Sequence, residues 1–209
     1  MGCLKKIIKS IVKKIIMIAL IVAFFSLGGY AFVKNLINSY QNPARAEFVQ
    51  TEKNYADFSS VPNDYQLCRC FNLFGYKKIN AKYLPTGQKI TIYDLKNEQK
   101  ISPADFQTKA IDKKINSLLD NLKDSIITLE NFEIVQRGSY IANNKTIPFI
   151  KFEANVKNIP FKKVVGIVAC YSTKNEKAKV PSTKLVLTIV DYKAYNPMIL
   201  KGFISALKF

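Results

Sequence analysis

Residues 132–156 read FEIVQRGSYIANNKTIPFIKFEANV, and the class of fold turns on them. Phe132 to Ile141 is rich in β-branched and aromatic residues. Asn143-Asn144-Lys145 interrupts it, and Thr146 to Val156 answers it, with Ile150, Phe152, Ala154 and Val156 on one face. Two such runs joined by an Asn-rich turn read as a β-hairpin. Toward the C-terminus, Lys163–Tyr171 and Leu185–Val190 are nearly continuous apolar runs, as expected of central strands covered on both faces. A polar loop, Ser172–Ser182, separates them. Asn196-Pro197 then caps a short helix whose inner face is Ile199, Leu200, Phe203, Ile204 and Leu207.

Toward the N-terminus the pattern is again strand-like. Tyr65–Phe74 ends at Gly75, Tyr76–Leu84 alternates loosely, and Pro85-Thr86-Gly87 turns the chain into Gln88–Leu95. These three predict an antiparallel meander. Ser102-Pro103-Ala104-Asp105 has the N-cap, first-turn proline and capping-box acid of a helix start. Ile111, Ile115, Leu118, Leu119, Leu122 and Ile126 continue it as one apolar face of a long amphipathic helix. The order strands, helix, strands, helix excludes βαβ repetition. It predicts an α+β domain over residues 63–209, an antiparallel β-sheet flanked by helices as an α/β/α sandwich.

Residues 132–209 resemble the C-terminal half of the PsbP-like family, which includes the Mog-type proteins. The resemblance rests on Pro148-Phe149-Ile150-Lys151-Phe152-Glu153-Ala154, the strand Leu185–Val190, Tyr195-Asn196-Pro197 opening a terminal helix, and the ending Ala206-Leu207-Lys208-Phe209. It implies an antiparallel sheet between helices and a role in binding or assembly, with no catalytic or metal-ligating residue to carry over.

The N-terminus reads as an address. Lys5, Lys6, Lys9, Lys13 and Lys14 precede an uncharged apolar stretch from Ile15 to Val33. At a ~1.5 Å rise its length approaches the ~30 Å hydrocarbon core. The expectation is a basic cytoplasmic tail (1–14), a transmembrane signal-anchor (15–33, with Ala19 and Ala23 as a small-residue pair), a stalk (34–62) and an extracytoplasmic domain (63–209). The lysines set the topology. A cleaved signal ending at Ser26-Leu27-Gly28 and acylation at Cys3 are the competing readings. This single-pass topology makes the lipid bilayer a partner and places the domain in the periplasm or at the cell surface.

Composition excludes much chemistry. Among 209 residues there is no His, so Ser-His-Asp triads, Cys-His dyads and His-ligated metals are out of reach. The net charge of +17 comes from 32 basic residues, of which only Arg45, Arg69 and Arg137 are arginines. Scattered lysines fit solvated faces better than nucleic-acid readout, which favours arginine. Cys68-Arg69-Cys70 puts two thiols on one strand face, and a disulfide from Cys70 or Cys68 to Cys170 is one reading; a buried thiol at Cys170 is the other. No cofactor or metal site is expected. Glu130, Glu133, Glu153 and Asp191 are the acids from which an enzymatic pair would have to be drawn. The leading expectation is a membrane-anchored, non-catalytic binding or assembly domain with a protein partner, and homo-oligomerisation is compatible with it. A structural subunit of a membrane-spanning secretion or conjugation complex is the alternative, and an envelope enzyme the third.

Overall fold

The computed structural model describes residues 13–14, 16–19, 21–23, 26, 28, 30–70, 78–95, 101–115, 129–157, 159, 162–173 and 182–208. The chain divides into two compact units, Met1–Asn42 and Pro43–Phe209.

In the first unit, residues 13–14, 16–19 and 21–23 are helical, and α1 spans Tyr30–Gln41. The expected membrane-spanning helix over 15–33 is corrected: among the described residues no helix is long and apolar enough to cross a membrane. The helix that carries the end of this stretch, α1, has 12 residues, about 18 Å, and runs through Lys34, Asn35 and Asn38, too short and too polar to span alone. The signal-anchor, the lipid bilayer as a partner, and the single-pass extracytoplasmic location lose their basis with it. Ala19 and Ala23 are exposed helical positions and Val33 lies within α1. Lys5, Lys6, Lys9 and Ile15 lie outside the described residues, as do Cys3 and Leu27.

Among the described residues the second unit is a seven-stranded antiparallel sheet with few, short helices. Its elements are α2 (Arg45–Thr51), β1 (Tyr65–Arg69), β2 (Lys78–Tyr83), β3 (Lys89–Asp94), α3 (Pro103–Gln107), β4 (Leu129–Ala142), β5 (Lys145–Val156), β6 (Lys163–Thr173), β7 (Ser182–Asp191) and α4 (Pro197–Ser205). The strand order is β1-β2-β3-β7-β6-β5-β4. The α/β/α sandwich is therefore corrected to a large sheet with small helical cover. The long helix expected from Pro103 breaks at Thr108, which is extended at φ −122° and ψ 171°. Its hydroxyl accepts from Ala110 N at 3.2 Å, so Thr108 ends one helix and caps the next. Helical residues 110–115 follow, while Leu118, Leu119, Leu122 and Ile126 lie outside the described residues.

The unit also begins earlier than residue 63. Phe48 of α2 and Phe58 are fully buried in the core, at 5.3 Å between ring centroids, so this part of the expected stalk is domain. Arg45 locks it down by donating to the carbonyls of Val61, Pro62 and Tyr65.

The hairpin forms as its turn chemistry dictates. Asn143 and Asn144 have φ of 45° and 63°, the left-handed pair that joins right-twisted strands. Pro148, which has no N–H, sits where the β5–β6 ladder stops: that ladder starts at Phe149↔Ala169, while β4–β5 pairing continues to Ala142↔Lys145. The hairpin end is thus free to diverge from β6. Residues 54–55 tie to the adjacent end of β6, where Tyr171 Oη donates to the Tyr55 carbonyl at 3.0 Å and Thr173 Oγ1 to that of Asn54 at 3.3 Å.

One helix touches both edges of the sheet. Tyr65 Oη on β1 donates to the Ile199 carbonyl of α4 at 2.6 Å, and α4 also contacts β4. Seven flat strands would span about 29 Å, against ~10 Å for a helix, so the sheet curls around α4. Leu200, Phe203, Ile204 and Leu207 fill the concave side and are fully buried. The convex side is packed by Phe106, Ile111 and Ile115 on Ile150, Phe152, Val168 and Cys170.

Candidate functional site

The outer strand β4 is the part of the sheet left open. It is the end of the strand order, and among the described residues no strand pairs with its far edge. Fourteen residues is long for a strand, whose usual length is about 5–6. Only Tyr140 and Ala142 are buried along it. Val135 and Ile141 are large apolar side chains at 41% and 71% exposure. The reason they are exposed differs. The β4–β5 register shifts between Ile134 and Gln136, so Val135 is the extra residue of a bulge. Ile141 alternates with the buried Tyr140 and Ala142 and so faces away from α4.

A second register shift lies between Glu130 and Glu133. Past it, Glu133 stands directly opposite Glu153 of β5. Like charges in that relation destabilise a sheet. Lys163 of β6 relieves it, with Nζ 2.5 Å from Glu153 Oε2 and 4.9 Å from the centroid of the Tyr192 ring. The hydrogen bond to Glu153 holds the Lys163 ammonium above its ordinary pKa. Nearby, Lys151 Nζ lies 4.4 Å from the Tyr195 ring centroid. Of the four acids singled out in the sequence, the fold brings together Glu133 and Glu153. Glu130 instead faces Asn155 and lies 3.9 Å from Lys157 Nζ. Asp191 accepts from Lys193 N at 3.0 Å, capping the turn after β7.

All three arginines bond within the chain. Arg45 clasps carbonyls as described. Arg69 donates to Glu52 at 2.8 Å and Glu47 at 3.0 Å, pinning α2 to β1. Arg137 of β4 binds the Asp112 carboxylate and donates to the Thr108 carbonyl at 3.2 Å, which fixes β4 under the convex helices. Bidentate recognition of outside phosphates would have to break these bonds.

The cysteines are kept apart. Cys170 is fully buried on β6, and burial pushes its thiol pKa far up. Cys68 lies on β1 and Cys70 just beyond it, with β2, β3 and β7 between them and β6. Four strand spacings, about 19 Å, exceed the ~7 Å Cα separation a disulfide bridges.

The feature sequence reading missed is a buried ion pair. Lys184 of β7, 2% exposed, lies 2.7 Å from Asp94 Oδ2 on β3 and 5.0 Å from the Tyr55 ring centroid. Ser182 Oγ donates to Asp94 at 2.6 Å. The only signal was a lysine opening the apolar run Leu185–Val190. Among the described residues no group of His, Cys, Asp and Glu could hold a metal ion. Compared with known proteins, the chain matches no family model and no curated protein.

Proposed function

We propose that Pro43–Phe209 is a non-catalytic binding or assembly domain of PsbP-like type, and that its partner docks along β4. The observation that carries this reading is the length and exposure of that outer strand, with Val135 and Ile141 displayed on it. An unpaired edge offers a row of N–H and C=O groups to another strand, and apolar side chains beside it add affinity and register. The hairpin, the two apolar strands and the Asn196-Pro197 cap support the PsbP-like part of the reading.

The test is site-specific photo-crosslinking in cells. A photoreactive residue replaces Ile141 in the full chain, and a control replaces Leu84, which is 54% exposed at the end of β2. Discrete protein adducts from position 141 and none from position 84 are expected. Equal adducts from both positions, or none from 141, refute a β4 contact.

A further inference from the structure

We infer that the occupant of the β4 edge is the β4 edge of a second copy of this chain, so that two sheets join across a two-fold axis. The inference rests on the β4 docking reading and names its partner. From Gln136 to Ala142 the β4–β5 register runs unbroken, so this half of β4 is a regular template. Arg137, bound to Asp112 on one face, and Tyr140 and Ala142, buried on the other, hold it rigid.

A two-fold axis normal to the sheet keeps each face on its own side, so it runs between the two strands and sets one residue of β4 opposite its own copy. Centred on Gly138, it sets Val135 opposite the partner's Ile141, and Ile141 opposite the partner's Val135. The two exposed apolar side chains of the strand then cover each other twice. The same register sets Arg137 opposite the partner's Ser139 and Gln136 opposite the partner's Tyr140. No charge meets a like charge. Centring on Arg137 would oppose two arginines, and centring on Ser139 would set Arg137 against the partner's Ile141. The residue beside the axis lacks a side chain, and its concave side is already roofed by the Phe149 ring, 2.7 Å from where a Cβ would sit. Self-complementary two-fold contacts are the commonest form of homo-oligomer, and edge strands are ready templates for them.

The test is light-scattering mass of the purified full chain across a dilution series, for wild type, Ile141→Lys and Val135→Lys, with circular dichroism to show that each folds. Expected is twice the 23.7 kDa protomer mass for wild type, and self-association at least tenfold weaker in both variants. A tenfold change is about 1.4 kcal/mol, less than the worth of one buried aliphatic side chain. A wild-type chain that stays at protomer mass overturns the inference, as does a dimer unaffected by both lysines. If photo-adducts form at position 141 while the mass stays that of one protomer, the β4 docking reading stands and only the second copy is refuted.

Discussion

Gly166→Ala tests how the curled sheet is packed. Gly166 on β6 pairs directly with Phe152 on β5, and the Phe152 ring lies over the glycine. A Cβ added there would clash with the tip of the ring, closest to its Cζ, then to Cε1, and 2.7 Å from Cε2. The ring cannot swing away. Phe152 is fully buried, and the Phe132 ring lies 4.6 Å from it, centroid to centroid. Replacing glycine by alanine should itself gain about 0.4–1 kcal/mol through the unfolded chain. Overpacking a tight site costs about 1–3 kcal/mol, and complete loss of a buried Phe about 3–5 kcal/mol. We expect a net loss of about 2–3 kcal/mol, read by urea denaturation, and a Tm lower by about 5–10 °C for a domain of this size. The deciding comparison is the same substitution in a Phe152→Ala background. With the ring gone, alanine has room, and the change should be neutral or stabilising by up to about 1 kcal/mol. The coupling between the two positions should then be at least about 2 kcal/mol. If Gly166→Ala lies within about 0.5 kcal/mol of wild type, or costs the same in both backgrounds, the packing argument is wrong.

Three further outcomes are expected. Asn196→Ala removes the side chain that accepts from Met198 N at 2.9 Å and should destabilise α4's start by about 1 kcal/mol in urea denaturation. Asp105 has its pKa lowered below 3.8, first by the backbone hydrogen bond from Ser102 and also by Lys114; its stabilising effect is present above the unfolded value and lost as pH falls through the folded one. The stability gap between wild type and Asp105→Asn should therefore narrow as pH drops below about 4, measured by denaturation at a series of pH values. Cys170 should resist a thiol probe in the folded chain and label fully in denaturant without reductant; labelling that requires reductant would contradict the separation of β1 from β6.

Local signals were legible in particular residues. The Asn143-Asn144 turn, the apolar runs at 163–171 and 185–190, and the Asn196-Pro197 cap each appear where the sequence puts them, because turn chemistry, alternation and capping act over a few residues. The apolar stretch before Lys34 reads as a span because hydropathy counts side chains alone, whereas α1, which carries its end, covers 12 residues and takes in Lys34, Asn35 and Asn38. Phe48 and Phe58 read as stalk because a short helix and an irregular segment carry no sustained period, yet both are core. The candidate site was legible only as parts. Glu133 and Glu153 are visible in the sequence, but two register shifts in β4 decide that they face each other.

By itself the sequence determined that the runs at 163–171 and 185–190 are strands, that the hairpin closes at Asn143-Asn144, and that histidine chemistry is excluded. These follow from residue type and short-range spacing. The tertiary structure decided the strand order and the curl around α4. It also decided the burial of Lys184 against Asp94, 90 positions away, and the exposure of β4. Such pairings depend on which distant strands become neighbours, and that choice is set by the fit of the whole core, with Pro148 releasing one hairpin end and Gly166 admitting one ring.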